Sequence, residues 1–208
     1  MANITERVRK LVEDYKDVTI GIFGSHSAKE IGISAKAWGF KTVVVVQRGR
    51  DKLYTKYNRH LYDEFIVVDR FKDMLNEEIQ ERLRDLNTIF IPNRSFAVYV
   101  GYDGIENEFE VPIYGNRYLL RAEERDFERG QYYLLKKAGI RIPREFKSPE
   151  EIDRLVVVKV QQAKNPLERA FFYAKSPEDY YRQAEELIKA GVINEEGLRK
   201  ARIEEYVL

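Results

Sequence analysis

The 208-residue chain is 44% hydrophobic and 34% charged, with 36 basic against 35 acidic residues and no cysteine. That balance gives no electrostatic argument for nucleic acid or an anionic membrane as a partner, and the missing cysteines exclude disulfides, thiolate catalysis and cysteine metal sites. Two histidines, His26 and His60, are too few for a histidine-built zinc site. No apolar run approaches the ~20 residues that span a bilayer, and Met1–Lys10 has no signal-peptide core, so a cytoplasmic setting is expected.

In chain order, Ile4, Val8, Leu11 and Val12 form a helical stripe over 4–15. Val18–Phe23 is an apolar strand that stops at Gly24, and an amphipathic helix opens behind it and runs to about Trp38, where Gly39 ends it. This strand, turn and helix N-terminus organise the rest of the reading. In an open parallel sheet, ligands sit at the carboxyl ends of the strands, where the free N–H groups and dipole of the next helix attract anions. Gly24 permits close backbone approach, Ser25 and Ser27 add hydroxyls, and His26 adds a donor that can carry charge. A phosphate is the natural guest; the alternative is an ordinary turn capped by a serine.

Thr42–Val46 is an unbroken β-branched run, as expected of a strand buried on both faces. A third strand over Phe65–Val68, a helix over Phe71–Leu86 and a fourth strand over Asn87–Ile91 continue the β-α-β-α rhythm of a doubly wound α/β domain. The fourth strand ends in Pro92-Asn93-Arg94-Ser95, a polar tip expected at the same sheet edge as Gly24–Ser27. Pro112–Gly115 reads as a short closing strand, with Asn116-Arg117 a further candidate for the pocket, and Tyr118–Ala138 reads as helix stopped by Gly139 and Pro143. The character then changes. Ser148–Glu151 reads as a helix start, and Leu155–Val160 as a strand carrying Lys159 in its middle. Ala170–Ala174 closes a hairpin with it, Pro177–Ala190 is a helix, and Ile203–Leu208 is a last strand. A domain boundary is expected near Arg141–Lys147, giving domains over 1–142 and 143–208. Lys159 is either a strand-edge lysine reaching solvent or a buried cation awaiting an anion.

Gly24–Ser27, Gly49–Asp51, Pro92–Phe96, Gly101, Pro112–Arg117, Ala138–Pro143, Val156–Lys159 and Ile203–Val207 occur in order through the whole chain. In these motifs it resembles the archaeal, formate-dependent 5-formaminoimidazole-4-carboxamide ribonucleotide synthetases of purine (IMP) biosynthesis, which are ATP-grasp ligases. The resemblance implies a mainly parallel α/β domain that binds the aminoimidazole carboxamide ribonucleotide, followed by the first, incomplete part of an ATP-grasp domain. It further implies that formyl phosphate, made from formate and ATP with magnesium, is attacked by the aminoimidazole amine. The resemblance places His26 and Ser95 on the ribonucleotide; beside it, the reading of the residues adds Ser25, Ser27 and Asn116 as candidates, and Arg94, where the family has glycine, either binds a phosphate or fills the pocket. Lys159 lies on ATP phosphates, and Glu204, Glu205, Tyr206 and Val207 form the segment that hydrogen-bonds adenine.

Three departures accompany the resemblance. Gln161–Arg169, where the family has a glycine-rich phosphate loop, contains no glycine and includes Pro166; Lys164 and Arg169 offer side-chain charge instead. The family's Pro-His-Gly-Ser-Phe is Pro92-Asn93-Arg94-Ser95-Phe96 here. The carboxylates that hold magnesium are expected beyond Leu208, so no magnesium ligand is assigned within the chain. The expectation is therefore a ligase with its chemistry impaired or incomplete; alternatives are a non-catalytic ribonucleotide sensor or one half of a split enzyme. Homo-oligomerisation or a missing C-terminal partner is expected, and the Glu/Lys/Arg-rich, cysteine-free composition fits a heat-adapted source.

Overall fold

The run Thr19–Phe23 forms β1, an inner strand of a parallel sheet, paired on both sides with strands rich in Val, Ile, Phe and Thr. The computed structural model describes residues 3–123, 128–161, 163 and 169–207. They fall into two compact units, divided between Gln131 and Tyr132, ahead of Arg141–Lys147.

In the first unit, α1 (Ile4–Glu13) opens with a capping box between Asn3 and Glu6. β1 is followed by α2 (Ala28–Ala37), β2 (Lys41–Gln47), β3 (Glu64–Val68), α3 (Glu77–Asp85), β4 (Thr88–Ile91), α4 (Arg94–Val100) and α5 (Tyr102–Asn107). The strand order is β3-β2-β1-β4, with every pair parallel. Ile113 adds a single parallel bridge beside Phe90, which is all that forms of the expected closing strand. Side-chain alternation splits β1 and β2 between two cores. Phe23, Val43 and Val45 join Phe71, Phe90, Phe96 and Phe109 on one face, while Ile22, Val44 and Val46 meet Ala28, Tyr54 and Leu61 on the other.

Several elements differ from expectation. The segment 71–86 is not one helix: a 3-10 turn over Phe71–Leu75 is separated from α3 by Asn76 in extended conformation. Asn76 is a poor helix-interior residue, and the Gln80 amide donates to the Leu75 carbonyl at 2.8 Å to close the break. Arg117–Glu123 is a 3-10 helix rather than the start of a long α-helix; Glu124–Phe127 lie outside the described residues.

Gly24 also has a different task from the one assigned to it. A Cβ there would lie 2.7 Å from both the Val45 carbonyl oxygen and Val46 Cγ1. The packing of β2 therefore requires a glycine here by itself. Gly24→Ala is expected to destabilise the fold by about 1–3 kcal/mol, read as a lowered urea midpoint; an unchanged midpoint would show that β1 and β2 can separate freely.

The second unit contains α6 (Gln131–Lys137), β5 (Glu145–Phe146), β6 (Val156–Gln161), β7 (Arg169–Ala174), α7 (Pro177–Lys189), α8 (Glu195–Arg199) and β8 (Arg202–Glu205). Gly139 and Gly191, both at positive φ, end α6 and α7 as expected. The Ser148–Glu151 start yields only a 3-10 turn, because Ile152 turns extended and buries in the core. β6 and β7 form the expected antiparallel hairpin, and the sheet order is β5-β8-β6-β7. The glycine-free loop between them, apart from Ala163, lies outside the described residues, as does Leu208. Among the described residues no helix is long and apolar enough to cross a membrane.

Candidate functional site

Two clusters take up the sequence candidates, one in each unit. In the first unit, Ser27 sits at the N-cap of α2 with φ 66°, a left-handed conformation uncommon outside glycine. Its hydroxyl makes no capping bond; it is instead 2.8 Å from His26 Nδ1. The serine-capped turn is thus not what forms. The Ala28 N–H donates to the Ser25 carbonyl at 3.1 Å, and the Ser27 side chain caps none of the first-turn N–H groups of α2; a helix start lacking a side-chain cap is one that can receive an anion. Asp17 and Asn87, both at φ 52°, share this left-handed backbone with Ser27.

The β4 tip joins this loop, as the parallel register requires. Asn93 Nδ2 donates to the His26 carbonyl at 2.7 Å, and Asn93 Oδ1 accepts from Phe96 N at 2.9 Å, capping α4. One side chain therefore fixes both loops, a role absent from the sequence candidates although Asn at a strand-to-helix junction is its signal. His26 is exposed, and Ser25 and Ser95 are half-buried. Arg94 turns its guanidinium to Tyr102 Oη (3.0 Å) and Glu123 (3.6 Å). Asn116 lies at the same sheet edge through the Phe90–Ile113 bridge, but its Oδ1 accepts from Tyr118 N at 3.0 Å. Its neighbour Arg117 is buried and bonded to backbone carbonyls, so it takes no part in a pocket.

In the second unit, antiparallel pairing puts Lys159 opposite Arg202 and Phe171, and Val157 opposite Glu204 and Tyr173. These six side chains share one face of the sheet, while Val156, Val158, Phe172 and Ile203 pack the other face against α7. Lys159 is no solvent-seeking edge residue: its ammonium pairs with Glu204, and the two side chains are 16% and 1% exposed. Glu204 Oε1 is buried with no hydrogen-bond partner among the described residues. Tyr206 places its ring 5.5 Å from that of Tyr173, edge to face.

Glu205 faces the other way. It accepts from Arg154 at 3.1 Å and from Arg144 N at 3.2 Å, and these bonds, the backbone one foremost, hold its carboxyl below the usual range. Val207 is exposed. Of the expected adenine segment, then, only Glu204 and Tyr206 meet residues of the Lys159 face. Among the described residues no group of three or more His, Asp or Glu side chains could hold a metal ion.

A parallel α/β unit followed by a four-stranded antiparallel sheet bearing a half-buried, ion-paired lysine is the beginning of an ATP-grasp fold. Solved structures share it: N5-carboxyaminoimidazole ribonucleotide synthetase in an ADP complex aligns with a TM-score of 0.60 at 16% identity, over 92% of this chain and 47% of that one. The Thermotoga maritima synthetase of the same name gives 0.53 at 20% identity, over 92% and 46%. The chain belongs to the DUF1246 family, described as a protein of unknown function, whose pattern covers residues 20–146.

Among its relatives is the 5-formaminoimidazole-4-carboxamide-1-(beta)-D-ribofuranosyl 5'-monophosphate synthetase of Methanopyrus kandleri, 49% identical over 98% of this chain and 55% of that protein. The Methanocaldococcus jannaschii protein of the same name is 44% identical over 92% of the chain and 52% of its own length. The chain thus spans about half the length of the curated relatives it matches.

Proposed function

We propose that this chain is the ribonucleotide- and nucleotide-binding part of an ATP-dependent formate ligase of purine biosynthesis, which formylates aminoimidazole carboxamide ribonucleotide. The observation that carries this reading is the 49% identity to a synthetase named for that product, sustained over 98% of the chain.

The reading divides the labour between the two units. The Ser25–Ser27 loop and the start of α2 suit the ribonucleotide phosphate, with Ser95 in the first turn of α4. The Lys159 face of the second sheet suits ATP: a half-buried cation, a carboxylate oxygen without a donor among the described residues and the Tyr173–Tyr206 pair offer phosphate, amine and ring contacts respectively. Lys159, Glu204 and Tyr206 would hold ATP, which supplies the phosphoryl group that activates formate. No described residue is assigned to magnesium. The same reading carries a cytoplasmic, heat-adapted archaeal setting, magnesium as the nucleotide's counter-ion, self-association or a second chain, and domains over 1–142 and 143–208.

Thermal denaturation tests the first site. Ribonucleotide at a hundred times its Kd is expected to stabilise the chain by about 2.7 kcal/mol. His26→Ala, which removes an exposed donor without disturbing the core, is expected to weaken binding roughly tenfold. No shift with the parent chain would refute the ribonucleotide site.

A further inference from the structure

The Lys159–Glu204 pair has a third member. Tyr132, on α6, donates its hydroxyl to Glu204 Oε2 at 2.8 Å. That is the same oxygen that takes the Lys159 ammonium, while Oε1 has no partner among the described residues. The Arg202 guanidinium lies 5.7 Å over the Tyr132 ring and is held in turn by Glu145 at 3.3 Å. The tyrosine is thus located at both its ring and its hydroxyl.

We propose that Tyr132 is a positioning residue for Lys159, setting how readily that lysine passes from Glu204 to a nucleotide phosphate. A carboxylate as buried as Glu204 cannot be left without donors, because desolvation of the bare charge is severe. Were Lys159 its sole partner among the described residues, a phosphate would have to compete with the whole attraction of that buried anion. The Tyr132 hydroxyl changes the competition. It leaves a charge-assisted hydrogen bond on Oε2 when the ammonium departs, and with that bond it keeps the carboxylate in one orientation. Lys159 is then free to swing toward phosphate while Glu204 stays in place. The inference rests on the reading of this face as the ATP site, and it assigns Tyr132 an influence on the phosphate end of the ligand alone.

That restriction makes it testable. The 208-residue chain and its Tyr132→Phe variant are titrated calorimetrically with ATP and, separately, with adenosine, after circular dichroism has shown both to be folded. Tyr132→Phe is expected to weaken ATP binding roughly tenfold and to leave adenosine binding unchanged, since adenosine offers Lys159 no phosphate. Equal losses for both ligands would mean that Tyr132 merely shapes the site, and an undiminished ATP affinity would mean that it does nothing there; either overturns the proposal.

A second background guards the result. In a Lys159→Met/Glu204→Gln chain, which keeps the volume of the cluster but neither charge, adding Tyr132→Phe is expected to change ATP affinity no further. A further loss there would overturn the proposal as well. A parent chain that binds neither ATP nor adenosine overturns the nucleotide reading and the role of Tyr132 with it; a parent that binds ATP, beside a variant with an unaltered ATP-to-adenosine ratio, overturns the role of Tyr132 alone.

Discussion

Lys159→Met is expected to destabilise the second unit by about 3–5 kcal/mol, the range found when one partner of a buried ion pair is removed. Glu204 is 1% exposed and its carboxylate is held by Lys159 and Tyr132 alone among the described residues. Methionine fills the space of the lysine stem but leaves the charge with a single neutral donor. Glu204→Gln should be milder, because the Lys159 side chain is 16% exposed and its ammonium can turn to water. Removing both charges together should recover most of the loss, since no unpaired ion then remains. Hydrogen exchange of the β6 and β8 amides, which pair directly around this site, reads the effect where it arises. Equal and small effects from the two single substitutions would show that water already screens the pair, and would return Lys159 to the role of an ordinary surface lysine.

How much of this was legible beforehand depended on distance along the chain. The strands at Thr19–Phe23 and Lys41–Gln47 announce themselves through unbroken apolar runs, and α6 and α7 through the glycines that end them, because these signals are local. The β6–β7 hairpin was legible for the same reason.

What was not legible required a partner from elsewhere. β5 is two residues long and exists only because β8 lies beside it. The π-helical and 3-10 turns over Leu53–Tyr57 and Arg59–Leu61 have no periodicity of their own; Tyr54 and Leu61 are drawn into the core beneath α2. Asn76 interrupts a helical pattern that hydrophobic spacing alone would continue.

In the sites, the sequence located the loops but not what the side chains do there. Ser27 reads equally well as a cap or as a ligand-facing residue, and only its left-handed backbone and its bond to His26 show that it is not the cap. Arg94 reads as a phosphate ligand until Tyr102 and Glu123 are seen to hold it. Lys159 and Glu204 were both singled out, yet their pairing, and the arrival of Tyr132 on the same oxygen, follow from strand register and a helix far away in sequence.

Arg117→Met is expected to be among the most damaging substitutions in the first unit, at about 3 kcal/mol or more, because it strands three buried acceptors at once. The Arg117 guanidinium donates to the carbonyl oxygens of Ile105 at 3.0 Å, Phe109 at 2.8 Å and Val111 at 3.4 Å. Ile105, Phe109 and Val111 are fully buried, and burial holds the guanidinium below its usual pKa. A charge is accepted in such a place only because its planar fork satisfies several backbone groups together. Lysine, a point donor on a flexible stem, should therefore rescue little.

The bend that Arg117 braces leads directly into Pro112 and Tyr114, whose carbonyl oxygen and N–H respectively bond to Phe90 N and O on either side of the Ile113 bridge and set the edge beyond β4. Its loss should loosen that edge without removing any ligand contact. Urea denaturation should show a large fall in midpoint, whereas ribonucleotide affinity, measured where the variant is still folded, should stay within about threefold of the parent, under 1 kcal/mol. The reverse pattern, an unchanged midpoint with binding lost, would place Arg117 among the phosphate ligands and Asn116 with it. Reading a cation adjacent to a candidate pocket as part of the fold rather than of the site turns on the identity of its acceptors. Here those acceptors are three carbonyls of its own chain.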